Sequence, residues 1–77
     1  MIAIKGDPKN SRNIIRLFQM MGGKLNELSY DDACDEKYYF TIVDGFVDGI
    51  RVDDSRLTNY DLTNYDNFIC DLLDEWE

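Results

Sequence analysis

Residues 37–52, KYYFTIVDGFVDGIRV, leave this chain few choices. Tyr, Phe, Thr, Ile and Val dominate the run, and such residues suit a pleated, half-buried strand. Asp44-Gly45 stands between Val43 and Phe46. Asp-Gly tolerates the positive φ that both central positions of a type I′ turn require. The reading is a hairpin with strands 38–43 and 46–52. That turn sets Val43 opposite Phe46, Thr41 opposite Asp48 and Tyr39 opposite Ile50, and gathers Tyr38, Phe40, Ile42, Val47 and Arg51 on the other face. Asp48-Gly49 repeats the turn chemistry, but a turn there leaves the returning strand too short, so a bulge or kink is expected.

Two stretches have helical periodicity. Ile14, Leu17, Phe18 and Met21 recur at i, i+3, i+4 and i+7, the apolar stripe of an amphipathic helix. Asp7 suits the cap, Pro8 suits the first helical position, and Gly22-Gly23 supplies the stop. The expected helix spans 8–21. Near the C-terminus, Tyr65, Ile69, Leu72, Leu73 and Trp76 recur at helical spacing, with Phe68 beside them. This second helix is expected over 64–76. Before it runs a tandem pentapeptide, LTNYD at 57–61 and again at 62–66. Each copy holds Thr-x-x-Asp, a hydroxyl cap with an acid three residues on. Only the second is followed by an apolar stripe, so Thr63 is the expected cap and the first copy a connector. A five-residue unit repeated once is too short for a solenoid, whose period is about 20 residues or more.

These elements assemble as β-α-β-β-α in one domain, 1–77. The first strand, MIAIK, reads as an edge, and a further strand near 25–30 is left open. The expected class is α+β: a small two-layer domain whose hairpin packs one face against two amphipathic helices. The chain has 77 residues, and one this short buries only about 60% of its unfolded surface. Residues 31–36, DDACDE, read as an exposed loop. Cys34 and Cys70 match no metal spacing and are expected as reduced, buried thiols. MIAIKGDPKN has no long apolar stretch and no small-residue cleavage site, and no run approaches the ~20 apolar residues that span a bilayer. A cytoplasmic location without membrane association is expected.

The chain contains no histidine. Ser-His and Cys-His nucleophile pairs, histidine bases and mixed Cys/His zinc sites are therefore absent. No phosphate-loop glycine pattern occurs. A calcium loop from Asp44 fails at position 3, which is Phe46, and one from Asp31 fails at position 6, which is Glu36. The expectation is a non-enzyme with no cofactor and no metal.

Charge is divided unevenly. Residues 1–24 hold Lys5, Lys9, Arg12, Arg16 and Lys24 against Asp7, a balance of +4; residues 25–77 hold Lys37, Arg51 and Arg56 against fifteen acids, a balance of −12. Such asymmetry speaks to partners rather than fold. Lys9, Arg12 and Arg16 fall on one side of the first helix, opposite its apolar stripe, and read as a solvated face. The five tyrosines are no platform for single-stranded nucleic acid, because they lie in the acidic part of the chain. Direct nucleic-acid binding is not expected.

KGD at 5–7, MMGGK at 20–24 and YYF at 38–40 before an Asp-Gly turn resemble small uncharacterised proteins of gut Bacteroidetes and their phages or prophages, over roughly the first two thirds of the chain. The resemblance implies a phage or mobile-element setting and no particular activity, and it carries over no functional residue. From the acidic balance, the expected function is binding to a basic protein surface, as an inhibitor or nucleic-acid mimic. The candidate contacts are Tyr60, Asp61, Asp66, Asp71, Asp74, Glu75 and Trp76. The second expectation is self-association, the basic helix of one copy meeting the acidic face of another.

Overall fold

A computed structural model describes residues 1–75. It has four strands, β1 (Ile2–Lys5), β2 (Tyr38–Val43), β3 (Phe46–Arg51) and β4 (Asp61–Thr63), and two helices, α1 (Ser11–Met20) and α2 (Tyr65–Glu75). Single 3₁₀ turns occupy Asp32–Cys34 and Ser55–Asn59. The sheet order is β3-β2-β1-β4; β1 runs antiparallel to β2 and parallel to β4. The architecture is a small α+β domain with a mixed sheet.

The hairpin forms in the register that its turn dictates, Val43 with Phe46, Thr41 with Asp48 and Tyr39 with Ile50. Asp44 and Gly45 both take positive φ, 52° and 86°. The expected bulge at Asp48-Gly49 is corrected: pairing continues unbroken, with Gly49 opposite Phe40. The ring of Phe40 lies over the space that a Cβ on residue 49 would need, the nearest ring carbon being 3.0 Å from that position. This glycine accommodates a cross-strand aromatic rather than breaking the strand.

β1 is an interior strand, not an edge, because β4 pairs with its other side. Ile2, Ala3 and Ile4 align with Asp61, Leu62 and Thr63. Three residues that begin with Asp and have no alternating apolar run give little strand signal of their own; β4 exists because β1 offers it hydrogen-bonding groups. Residues 25–30 form no strand; of that neighbourhood only Lys24 bridges to Phe46.

One face of the sheet carries the main core. Ile4, Phe40 and Val47 meet Ile14, Ile15 and Phe18 of α1, and Ala33 joins them. The stripe differs from the expected one: Ile15 is buried, while Met21 is 45% exposed. α1 begins at Ser11 rather than 8, because Asp7 closes a turn instead of capping the helix. Its Oδ1 accepts from the Lys9 N–H at 2.9 Å and its carbonyl accepts from the Asn10 N–H at 3.1 Å. The stop is as expected. Gly22 has φ 100°, its N–H donates to the Gln19 carbonyl and that of Gly23 to the Phe18 carbonyl, the paired bonds of a Schellman cap. On the opposite face Ala3, Thr41 and Ile50 are buried, and so is Leu57 of the second 3₁₀ turn. The Thr41 hydroxyl donates to the Ile2 carbonyl at 2.8 Å, which satisfies the one buried polar side chain inside the sheet. Both cysteines are free and exposed, which corrects the expectation of buried thiols. Cys34 ends a surface turn, and Cys70 sits on the outward side of α2.

The cap of α2 is Asn64, not Thr63. The Asn64 Oδ1 accepts from the Asn67 N–H at 2.8 Å, whereas the Thr63 hydroxyl reaches only its neighbour's carbonyl at 3.3 Å. Thr63 is paired with Ile4 in β4 and the helix starts at Tyr65, which leaves Asn64 in the cap position. Asn64→Ala is expected to cost about 1 kcal/mol and Thr63→Ala a few tenths. Urea unfolding of the two variants checks this, and the reverse order would place the helix start wrongly.

Candidate functional site

The structure divides the expected contact residues. Tyr60 closes the second 3₁₀ turn, its N–H donating to the Leu57 carbonyl at 3.1 Å, and is half-buried. Asp61 is exposed on β4 at the sheet edge, its N–H donating to the Met1 carbonyl at 3.0 Å. Asp66, Asp71 and Asp74 are exposed on α2, on the side away from Tyr65 and Phe68, which lean on the core. At 100° per residue the three acids spread over about 140° of the helix. The apolar stripe of α2 outruns the body beneath it: Leu72 is 39% exposed and Leu73 62%. Glu75 ends the helix backbone, and Trp76 lies outside the described residues.

The basic face of α1 is partly engaged by the chain itself. The Arg12 Nε lies 3.1 Å from the Asp31 Oδ1, and the Arg16 guanidinium carbon lies 5.6 Å from the centre of the Tyr30 ring. Both contacts tie α1 to the 29–32 loop. Both partners of the ion pair are well exposed, so it adds at most about 1 kcal/mol.

A second acidic surface escaped the sequence reading. Leu28, Tyr38, Phe40 and Gly49 floor a cavity of about 260 Å³, rimmed by Asp32, Asp35 and Asp48. It adjoins a wider depression of about 450 Å³ through the shared residues Leu28 and Asp48. Glu27, Asp44, Phe46 and Val47 also line it. Five carboxylates and no lysine or arginine line this groove. Three of the carboxylates are fixed by backbone donors: Asp32 by the Ser29 N–H at 2.7 Å, Asp35 by the Lys37 N–H at 2.9 Å and Asp48 by the Gly49 N–H at 2.8 Å. A signal for the cavity existed. Once the turn is placed at 44–45, residue 49 falls opposite residue 40, and the glycine, over which the Phe40 ring lies, adds no side chain to the groove wall.

The arginines beside β3 also bear on this groove, Arg51 interacting with Tyr38 and Arg56 with Asp48. Arg51 reaches Asp53 at 3.4 Å and Arg56 reaches Asp54 at 3.0 Å. Hydrogen bonding to Asp53 raises the pKa of Arg51. The Arg56 side chain and N–H hold the Asp54 carboxyl below its usual range. That same carboxylate starts the 3₁₀ turn that places Leu57. Among the described residues no His, Cys, Asp or Glu group is arranged to hold a metal ion, and no helix is long and apolar enough to cross a membrane. Comparison with protein-family profiles, with curated proteins and with solved structures finds no match for this chain.

Proposed function

We propose that this chain is a non-enzymatic interaction module that binds a basic surface on another protein, in the phage or prophage setting that the resemblance implies. In its sharpest form it is an inhibitor that covers a nucleic-acid-binding site on a host protein. One observation carries the reading: residues 57–77 hold six acids and no lysine or arginine, and Asp61, Asp66, Asp71 and Asp74 are all exposed. Leu62, Leu72 and Leu73 are exposed beside them, so the surface offers apolar contact along with charge. Electrostatic complementarity of this kind speeds encounter and is sensitive to salt.

The immobilised protein is expected to retain basic proteins from a gut Bacteroidetes lysate at low salt and to release them by about 0.5 M salt, where screening length falls to a few ångströms. An Asp66→Asn/Asp71→Asn/Asp74→Asn variant is expected to retain less. Absence of any salt-dependent retention ends this reading. Self-association is the second reading. It is less favoured because Arg12 and Arg16, the two cations of α1, already contact Asp31 and Tyr30 within the same copy, and Lys9 lies in the turn before the helix. Light scattering after size exclusion that gives a monomer at low and high salt rules it out.

A further inference from the structure

The two halves of α2 stand in different surroundings. The first half is docked: Tyr65 and Phe68 pack against the core, and Ile69 is half-buried. From Cys70 to Asp74 every residue is exposed. Five consecutive residues sweep about 500° around a helix, so this exposure runs round the whole circumference. Among the five are Leu72 and Leu73, 39% and 62% exposed. With Ile69 they continue the apolar stripe at i+3 and i+4 spacing, on a turn that nothing else in the domain covers. The same turn is electrically unbalanced. The C-terminal end of a helix carries partial negative charge, yet α2 has no basic residue in its last turn, and Asp71 and Asp74 stand exposed in its second half. A short helix segment without packing is marginal in water.

We infer that the second half of α2 docks a basic amphipathic helix of a partner protein, with Ile69, Leu72 and Leu73 set against its apolar stripe. An apolar stripe alone would also suit a second copy of α2. Charge decides between them. Residues 57–77 hold six acids and no lysine or arginine, so two such helices side by side set like charges together. A helix whose apolar residues are flanked by lysine or arginine covers the leucines and neutralises the acids in one contact. A cation beside the last turn also balances the helix dipole, which no residue of α2 does. The basic helix of a second copy does not serve, because Arg12 and Arg16 are already engaged and Ile14, Ile15 and Phe18 of α1 are buried in their own core. A helix suits the stripe better than an extended segment does, since the i, i+3, i+4 ridge interleaves with the ridges of another helix. This inference rests on the reading of the chain as a binder of basic protein surfaces. It goes further in giving affinity to the leucines and steering to the acids.

The test is a fluorescence-anisotropy titration of the full chain at low salt against a labelled peptide, Leu-Lys-Lys-Leu-Leu-Lys-Leu written twice, which is amphipathic when helical. Saturable binding is expected. A peptide of the same composition, reordered so that no apolar face forms, is expected to bind about tenfold more weakly. Leu72→Ser/Leu73→Ser is expected to weaken the first peptide by about tenfold as well. Its urea midpoint is expected to change little, because both leucines are exposed. Asp66→Asn/Asp71→Asn/Asp74→Asn is expected to bind about threefold more weakly at low salt and equally at about 0.5 M salt, where the charges are screened. Undiminished binding of the reordered peptide, or undiminished binding by the leucine variant, overturns the docked stripe and leaves the general reading intact. No binding of either peptide overturns the inference, and the lysate experiment then decides the general reading separately. Self-association in light scattering that grows with salt and is lost in the leucine variant assigns the stripe to a second copy and overturns a foreign partner.

Discussion

Phe18→Ala is expected to cost about 3–5 kcal/mol, the range for truncating a buried phenylalanine. Phe18 is fully buried and is the largest such side chain among the described residues. It joins α1 to Ile4, Phe40 and Val47, so its loss opens a cavity that three strands border. The consequence is severe because a domain of 77 residues has only about 4–12 kcal/mol of stability to lose. Urea unfolding followed by far-ultraviolet circular dichroism should show a midpoint far below that of the parent, or no cooperative transition. Met20→Ala is the control: Met20 is 84% exposed, and its change is expected to lie within about 0.5 kcal/mol. Equal midpoints for the two variants would mean that α1 is docked by another face.

Gly6→Ala is expected to cost about 3 kcal/mol, the upper end for overpacking. A Cβ at this position would collide with the Asp35 carbonyl oxygen and would stand 3.2 Å from that of Ala33. The obstacle is backbone, and the approach is pinned by hydrogen bonds, Gly6 N–H to the Tyr38 carbonyl at 2.9 Å and Asp7 N–H to the Ala33 carbonyl at 2.8 Å. Neither segment has a side chain that can swing aside. Because the displaced segment carries Asp32 and Asp35, the same substitution is expected to disturb the groove. Gly22→Ala separates space from conformation: no atom lies within 4 Å of its Cβ position, so only the positive φ opposes the change. That cost is about 1 kcal/mol. A Gly6 variant no less stable than the Gly22 variant would contradict the close approach.

The candidate surfaces were legible to different degrees. Exposure of Asp66, Asp71 and Asp74 follows from helical periodicity, because acids opposite an apolar stripe face water. The β3 groove does not follow from the sequence in that way. Glu27, Asp32, Asp35, Asp44 and Asp48 spread over three segments of chain, and only the fold lines them along one edge.

The sequence by itself determined the hairpin, its register and the two helices, because turn chemistry and apolar period act between residues a few positions apart. The tandem pentapeptide marks where that reach ends. In the first copy Leu57, Thr58 and Asn59 belong to a 3₁₀ turn and Leu57 is 4% exposed; in the second Leu62 and Thr63 are strand, Asn64 is a cap and Leu62 is 48% exposed. Identical residues have identical local preferences, so local preference cannot separate the copies. Their surroundings do. Asp54 starts the turn that buries the first leucine, and the free side of β1 draws the second copy into a parallel pairing that joins residues about sixty positions apart. That contact converts β1 from an edge to an interior strand and moves the helix cap from Thr63 to Asn64. Only the tertiary structure decided both, because hydrogen bonds between distant segments form or fail with the packing of the whole sheet.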